Sequence, residues 1–171
     1  MSEMFLALDG VKGESLAEEH GEEIVIHDWK WKLTNDAPPN LKGPDAAKHA
    51  GVEHITIDKL VDNASVTLVN YCAQGTRVDY ATITCRKNAG DTEGVKKVDY
   101  LLIELTNVKV ERVEWFGRGE GHVIPEQVEL SFLEFKIVYF IQYSDGTVPT
   151  GGNEFHFNVP EQKGQPAKPH K

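Results

Sequence analysis

Residues 97–116 read KVDYLLIELTNVKVERVEWF, and their alternation changes phase partway along. Successive side chains of a β-strand point to opposite faces, so an apolar residue at every second position marks a strand with one buried face. Leu101, Ile103 and Leu105 share one parity, whereas Val108 and Val110 share the other. In a regular strand one of these sets would face solvent. The sequence therefore predicts a bulge or strong bend near Asn107, which brings both sets to one core. The stretch 122–143, HVIPEQVELSFLEFKIVYFIQY, repeats the pattern. Val128, Leu130 and Phe132 are followed on the opposite parity by Leu133, Phe135, Ile137, Tyr139 and Ile141, which puts a second bend at Phe132–Leu133. Both segments exceed the usual strand of about five to six residues. Long bent strands that cross from one sheet to the next are how small barrels turn corners.

Working outward, Met4 to Leu8 is a short apolar strand that ends at the Asp9-Gly10 turn signal. Further strands are expected at His54 to Ile57, with extension toward Val61, at Thr76 to Arg86 and at Glu154 to Asn158. The segment from Glu23 to Leu33, EIVIHDWKWKL, reads as one long strand with Trp29 and Trp31 on one face and Lys30 on the other. Residues 62–75, DNASVTLVNYCAQG, carry the one good helical pattern. Val66, Val69, Tyr71 and Cys72 form a patchy apolar stripe that Leu68 joins at i+3 and i+4. Ser65 is the expected N-cap, with Asp62 and Asn63 competing, and Gly75 is the natural C′ residue. A helix of about residues 64–75 is too short to stand alone and must dock on the sheet. The glycine-rich stretch 117–121, GRGEG, precedes a strand and not a helix, so it reads as a hairpin turn and not a phosphate loop. The sum is a mainly β fold: an antiparallel β-barrel or tight sandwich of about seven strands with one short α-helix. A single domain spans residues 1–160, and residues 161–171 read as a flexible C-terminal tail. The stretch 34–53 holds three prolines and two glycines and reads as a long loop, which in a compact domain either carries function or is mobile.

The chain has 171 residues, enough to bury roughly 70% of the surface its unfolded form would expose. Its net charge of −9 argues against nucleic acid, whose recognition needs a basic patch. No apolar run approaches the roughly 20 residues that span a bilayer, so no membrane insertion is expected, and the first residues lack the pattern of a secretory signal. The two cysteines, Cys72 and Cys85, read as small buried hydrophobes in a reducing compartment. Seven histidines form no HxxxH or HExxH pair, so neither a metal nor any other cofactor is expected. There is no GxSxG, and Glu126 and Glu129 read as solvated surface, so no catalytic residues are assigned.

The order of segments resembles the haemolysin-coregulated protein family, Hcp, the tube protein of bacterial type VI secretion. FLALDGVKGES (5–15), EIVIHDWKWKL, DKLVDNASVTLVNYCAQG (58–75), ATITCRKNAG (81–90), YLLIELTNVKVERV (100–113) and EQVELSFLEFKIVY (126–139) carry the resemblance. It implies a β-barrel protomer assembled as a homohexameric ring with a wide channel, rings stacked into a tube, and no enzymatic activity. It also implies sheath proteins, a spike protein and secreted effectors as partners. Residence in the bacterial cytoplasm before firing and export without a signal peptide follow from the same likeness. Within such a ring Trp29 and Trp31 would fill the barrel core, and Lys30 would point into the channel or a neighbouring protomer. The loop carrying Asp36, Asn40, Lys42, Asp45 and Lys48 would face the next ring and govern stacking. The competing reading is a monomeric β-barrel that binds a small apolar ligand inside; the bulky inward side chains weigh against it.

Overall fold

The computed structural model describes residues 3–88, 97–117, 121–141 and 151–168. Along them run β1 (Glu3–Leu8), β2 (Ile24–Ile26), β3 (Asp28–Lys30), β4 (Leu33–Asn35), α1 (Pro44–Ala47), β5 (Ala50–Val52), β6 (Ile55–Leu60), α2 (Asn63–Gln74), β7 (Arg77–Asn88), β8 (Lys97–Trp115), β9 (Pro125–Ser131), β10 (Glu134–Tyr139), β11 (Asn153–Asn158) and β12 (Lys163–Lys168). Ten strands form one antiparallel sheet, and β4 and β5 pair as a separate hairpin. The expected antiparallel β architecture is present, in the form of a tight sandwich in which the sheet folds over on itself.

The 19-residue strand β8 organises the molecule. Its first half lies between β7 and β10, and its second half pairs with β9. Asn107 adopts φ 56, the left-handed region that short polar side chains tolerate, where the sequence predicts the irregularity. Ile103, Leu105, Val108 and Val110 are consequently all buried despite their two parities. A further register shift lies between Val110 and Arg112. The second expected bend is the break between β9 and β10 at Phe132–Leu133. Past it, Tyr139 and Ile141 are exposed and not on the core face, whereas Val138, of the opposite parity, is buried.

Other elements differ from the sequence expectation. The single strand from Glu23 to Leu33 is broken into three. His27 sits at a bend between β2, which pairs with β1, and β3, which pairs with β6. This corner, together with the division of 122–143, accounts for much of the increase from about seven strands to twelve among the described residues. The loop at 34–53 holds the β4–β5 hairpin with α1 at its tip. Residues 163–168, read as part of a flexible tail, form the edge strand β12 on β11. Main-chain pairing holds such an edge strand, and a polar sequence gives no periodic sign of it. For α2, the N-cap is Asp62 and not Ser65. Ser65 occupies N3 and returns a bond to the Asp62 backbone, completing a capping box. Gly75 closes the helix at φ 64, as its position predicts. Of GRGEG, only Gly117 and Gly121 fall within the described residues.

The space between the layers is filled. Leu6, Ile24, Ile55, Ile57, Leu68, Ile83, Leu105, Leu130 and Phe135 are among the fully buried side chains. Trp29 and Trp31 are half-buried at the margin of this core and do not fill it. Trp31 meets Phe135 edge-on at 4.8 Å, and its indole N–H donates to the Glu53 carbonyl at 3.0 Å.

Candidate functional site

Strand register builds one face of the molecule directly. β3, β6, β9 and the second half of β8 lie side by side, and residues paired across antiparallel strands point to the same side. Trp29, Ile57, Val128 and Val113 make one cross-strand row on the core side. The flanking rows point outward: Lys30, Thr56, Glu129 and Arg112 in one, Asp28, Asp58, Gln127 and Glu114 in the other. The result is a polar face four strands wide. Gln127 donates to Asp58 at 2.9 Å, and Arg112 donates to Gln127 at 2.6 Å while pairing with Glu129 at 2.9 Å. Beside them, hydrogen bonds from Lys109 and Ser131 hold the Glu111 carboxyl below the usual carboxylate range. Lys30 is exposed on this face, and among the described residues no carboxylate stands within ion-pair distance of it.

The other sequence-predicted residues lie elsewhere. Asp36, Asn40, Lys42, Asp45 and Lys48 are all exposed and share the lobe made by β4, α1 and β5. Asp45 and Lys48 pair at 3.0 Å, and the Asp36 N–H donates to the His49 carbonyl at 3.3 Å. Asn35 braces the lobe by donating to the Ala46 carbonyl at 2.8 Å and accepting from the Ala37 N–H at 2.9 Å. Lys30 ends β3 two residues before this lobe leaves the sheet, so the face and the lobe are contiguous along the chain.

Two polar clusters were not predicted. In the first, Lys59 and Glu126 are directly paired across β6 and β9, with both side chains fully buried and their charged atoms 2.5 Å apart. Glu126 is therefore interior and not the solvated residue the sequence reading expects. A signal was available: Lys59 follows Ile55 and Ile57, and Glu126 precedes Val128 and Leu130, each on its strand's core parity. In the second cluster, buried Arg86 reaches Asp99 at 2.9 Å and also pairs with Glu19. Burial disfavours the guanidinium charge, and the hydrogen bonds and charges of Asp99 and Glu19 together outweigh it, so the Arg86 pKa rises. The buried ring of His20 stacks on Phe5 at 4.5 Å, with its nitrogens 2.9 Å from Glu23 and 3.3 Å from Asp99. This cluster clasps the 11–23 segment to β7 and β8, and residues so distant in sequence give no spacing signal. Burial pushes the Cys85 thiol up, and the Trp29 side chain offsets part of that rise. Cys72, expected to be buried, is half-exposed.

Comparison with known proteins follows this geometry. A family model described as type VI secretion system effector, Hcp, matches residues 5–139. The chain is 29% identical over 157 residues to protein hcp1 of Pseudomonas aeruginosa, an alignment spanning 92% of this chain and 94% of that protein. Its fold superposes on a solved type six secretion system protein with a TM-score of 0.84 at 21% identity, over 96% of this chain and 100% of the other. It is also similar to the crystal structure of Hcp1 from Salmonella typhimurium, with a TM-score of 0.73 and 27% identity over 96% of this chain and 99% of that one.

Proposed function

The chain belongs to the Hcp family of type VI secretion system effectors, and from this premise we propose that it is a tube subunit, assembling into homohexameric rings that stack head to tail. Residues 1–160 act as one Hcp-like domain, which β12 extends to residue 168. The protein is held in the bacterial cytoplasm and then expelled together with a spike and effectors from within a contractile sheath. The observation that carries this reading is the polar face spread over β3, β6, β9 and β8 behind a filled core. A monomeric carrier of apolar ligands needs interior space, and here the interior is occupied by Ile55, Ile57, Leu130 and their neighbours. A ring instead uses the outside of the sheet, where Lys30 is free to meet cargo in the channel. The lobe bearing Asp36, Asn40, Lys42, Asp45 and Lys48 meets the next ring.

Light scattering at micromolar protein is expected to give six times the mass of one chain, with rings visible by electron microscopy. A monomer at every concentration overturns the ring reading. The role of Lys30 is tested by pull-down of a cognate acidic effector with wild-type and Lys30→Glu rings. Reversing the charge at six equivalent positions weakens retention, more strongly at low salt. A Lys30→Glu chain that fails to assemble puts this residue between protomers. One that assembles and retains effector as well as wild type makes Lys30 an ordinary surface residue.

A further inference from the structure

We propose that the buried Lys59–Glu126 pair is a positioning lock, fixing the N-terminus of α2 to the back of the polar face and holding the end of the β8–β9 pair through Trp115. Four acceptors surround the Lys59 ammonium: the Glu126 carboxylate at 2.5 Å, the Leu60 carbonyl at 2.7 Å, Asp62 at 2.8 Å and the Ser65 hydroxyl at 3.1 Å. Three donors converge on Glu126: Lys59, the Ser65 hydroxyl at 2.6 Å and the Trp115 indole N–H at 2.7 Å. Asp62 and Ser65 are also the two members of the α2 capping box. One cluster thus joins the helix cap to three adjacent strands.

Net stability is a poor explanation for such a cluster. Withdrawing two charges from water is costly, and an apolar pair of similar volume is often as stable or more so. An apolar pair, however, specifies no direction. Six hydrogen bonds between fixed groups permit one helix orientation and one placement of the Trp115 ring, which is itself nearly half exposed and so only partly held by packing. Lys59 and Glu126 neighbour Asp58 and Gln127, which point to the opposite side of the same strands. The lock therefore backs the polar face at the end where β8 meets β9.

The test compares the full-length chain with a Lys59→Met/Glu126→Leu double variant and with Trp115→Phe, by thermal melting and by hydrogen–deuterium exchange. The double variant is expected to melt within about 5 °C of wild type. Its amides in the first turn of α2 and at 113–116 and 124–127 should exchange at least about tenfold faster, while β1 and β7 are unchanged. Trp115→Phe, which removes the indole donor and trims a ring that is nearly half exposed, should quicken exchange at 113–116 and 124–127 alone. Wild-type exchange at these segments in both variants overturns the lock. So does a large loss of melting temperature in the double variant with no effect of Trp115→Phe, because the pair then only stabilises. Should the double variant not fold, Trp115→Phe decides, and unchanged exchange overturns the proposal.

Discussion

Trp29 and Lys30 are neighbours in sequence, and the period of two sends them to opposite environments. Trp29 packs on the core margin beside Cys85, whereas Lys30 stands on the polar face. Truncating a fully buried aromatic costs about 3–5 kcal/mol, and the half-exposure of Trp29 reduces this. Trp29→Ala should therefore destabilise by about 2–3 kcal/mol in urea unfolding. Lys30→Glu should change stability by no more than about 0.5 kcal/mol, as at other surface positions. Equal losses for the two variants would contradict the assignment of faces. The same period reads Lys59 and Glu126 correctly once parity is given priority over charge: each sits where an apolar residue is expected.

At the scale of elements, the irregularity in β8 decides which residues face the core. Asn107 carries the positive φ, and its side chain accepts from Arg77 at 3.1 Å. A β-branched residue is strained in that conformation, so Asn107→Val should cost about 1–2 kcal/mol, whereas Asn107→Gly should stay within about 0.5 kcal/mol. Chemical denaturation of the two variants distinguishes this from a simple loss of the side-chain bond, which would weaken both alike. The neighbouring second irregularity carries Glu111, whose folded pKa lies below its ordinary value of 4.5 because of Lys109 and Ser131. A depressed carboxylate adds stability above its unfolded pKa and loses it as pH falls through the folded one. Glu111→Gln should consequently be less stable than wild type near neutrality, with the difference shrinking below about pH 4.5. A difference that is constant across the titration excludes this linkage.

For the whole molecule, the separation of lobe from core makes assembly testable apart from folding. The lobe forms its own two-stranded sheet, and its residues from Asn40 to His49 contribute nothing to the buried core. On the proposed ring reading, deleting Asn40 to His49 should leave the number of chains per ring at six and abolish tubes. Loss of the ring itself would put the lobe in the lateral interface, and tubes that still form would make it dispensable. Because the lobe's charges are exposed, any stacking of rings through them should weaken as salt rises.

Hydrophobic parity alone determines much of this fold. It yields the β class, the strands expected at 4–8, from 54 to 57 and on toward 61, at 76–86, 97–116 and 154–158, and the two phase changes, while helical spacing and Gly75 give the docked helix α2. These are local properties, written in alternation, in caps and in the conformations that Asn and Gly tolerate. The corner at His27 was overlooked: Ile24 and Ile26 share one parity and Trp29 and Trp31 the other, but apolar Val25, exposed in the fold, sits on the Trp parity and masks the change, and pairing with two different strands makes the bend. The α1 lobe and β12 were hidden for a different reason: their order comes from backbone partners and packing, which leave no period in polar sequence. The candidate face was half legible. Alternation separates Lys30 from Trp29, but the rows joining Lys30 to Glu129 and Arg112 exist only through register between segments about a hundred residues apart in the chain. The clasp of Glu19, His20, Arg86 and Asp99 likewise needs three distant segments in contact. Sequence fixes what each strand can bury, and tertiary structure decides which strands meet, because register is set by the packing of the whole core.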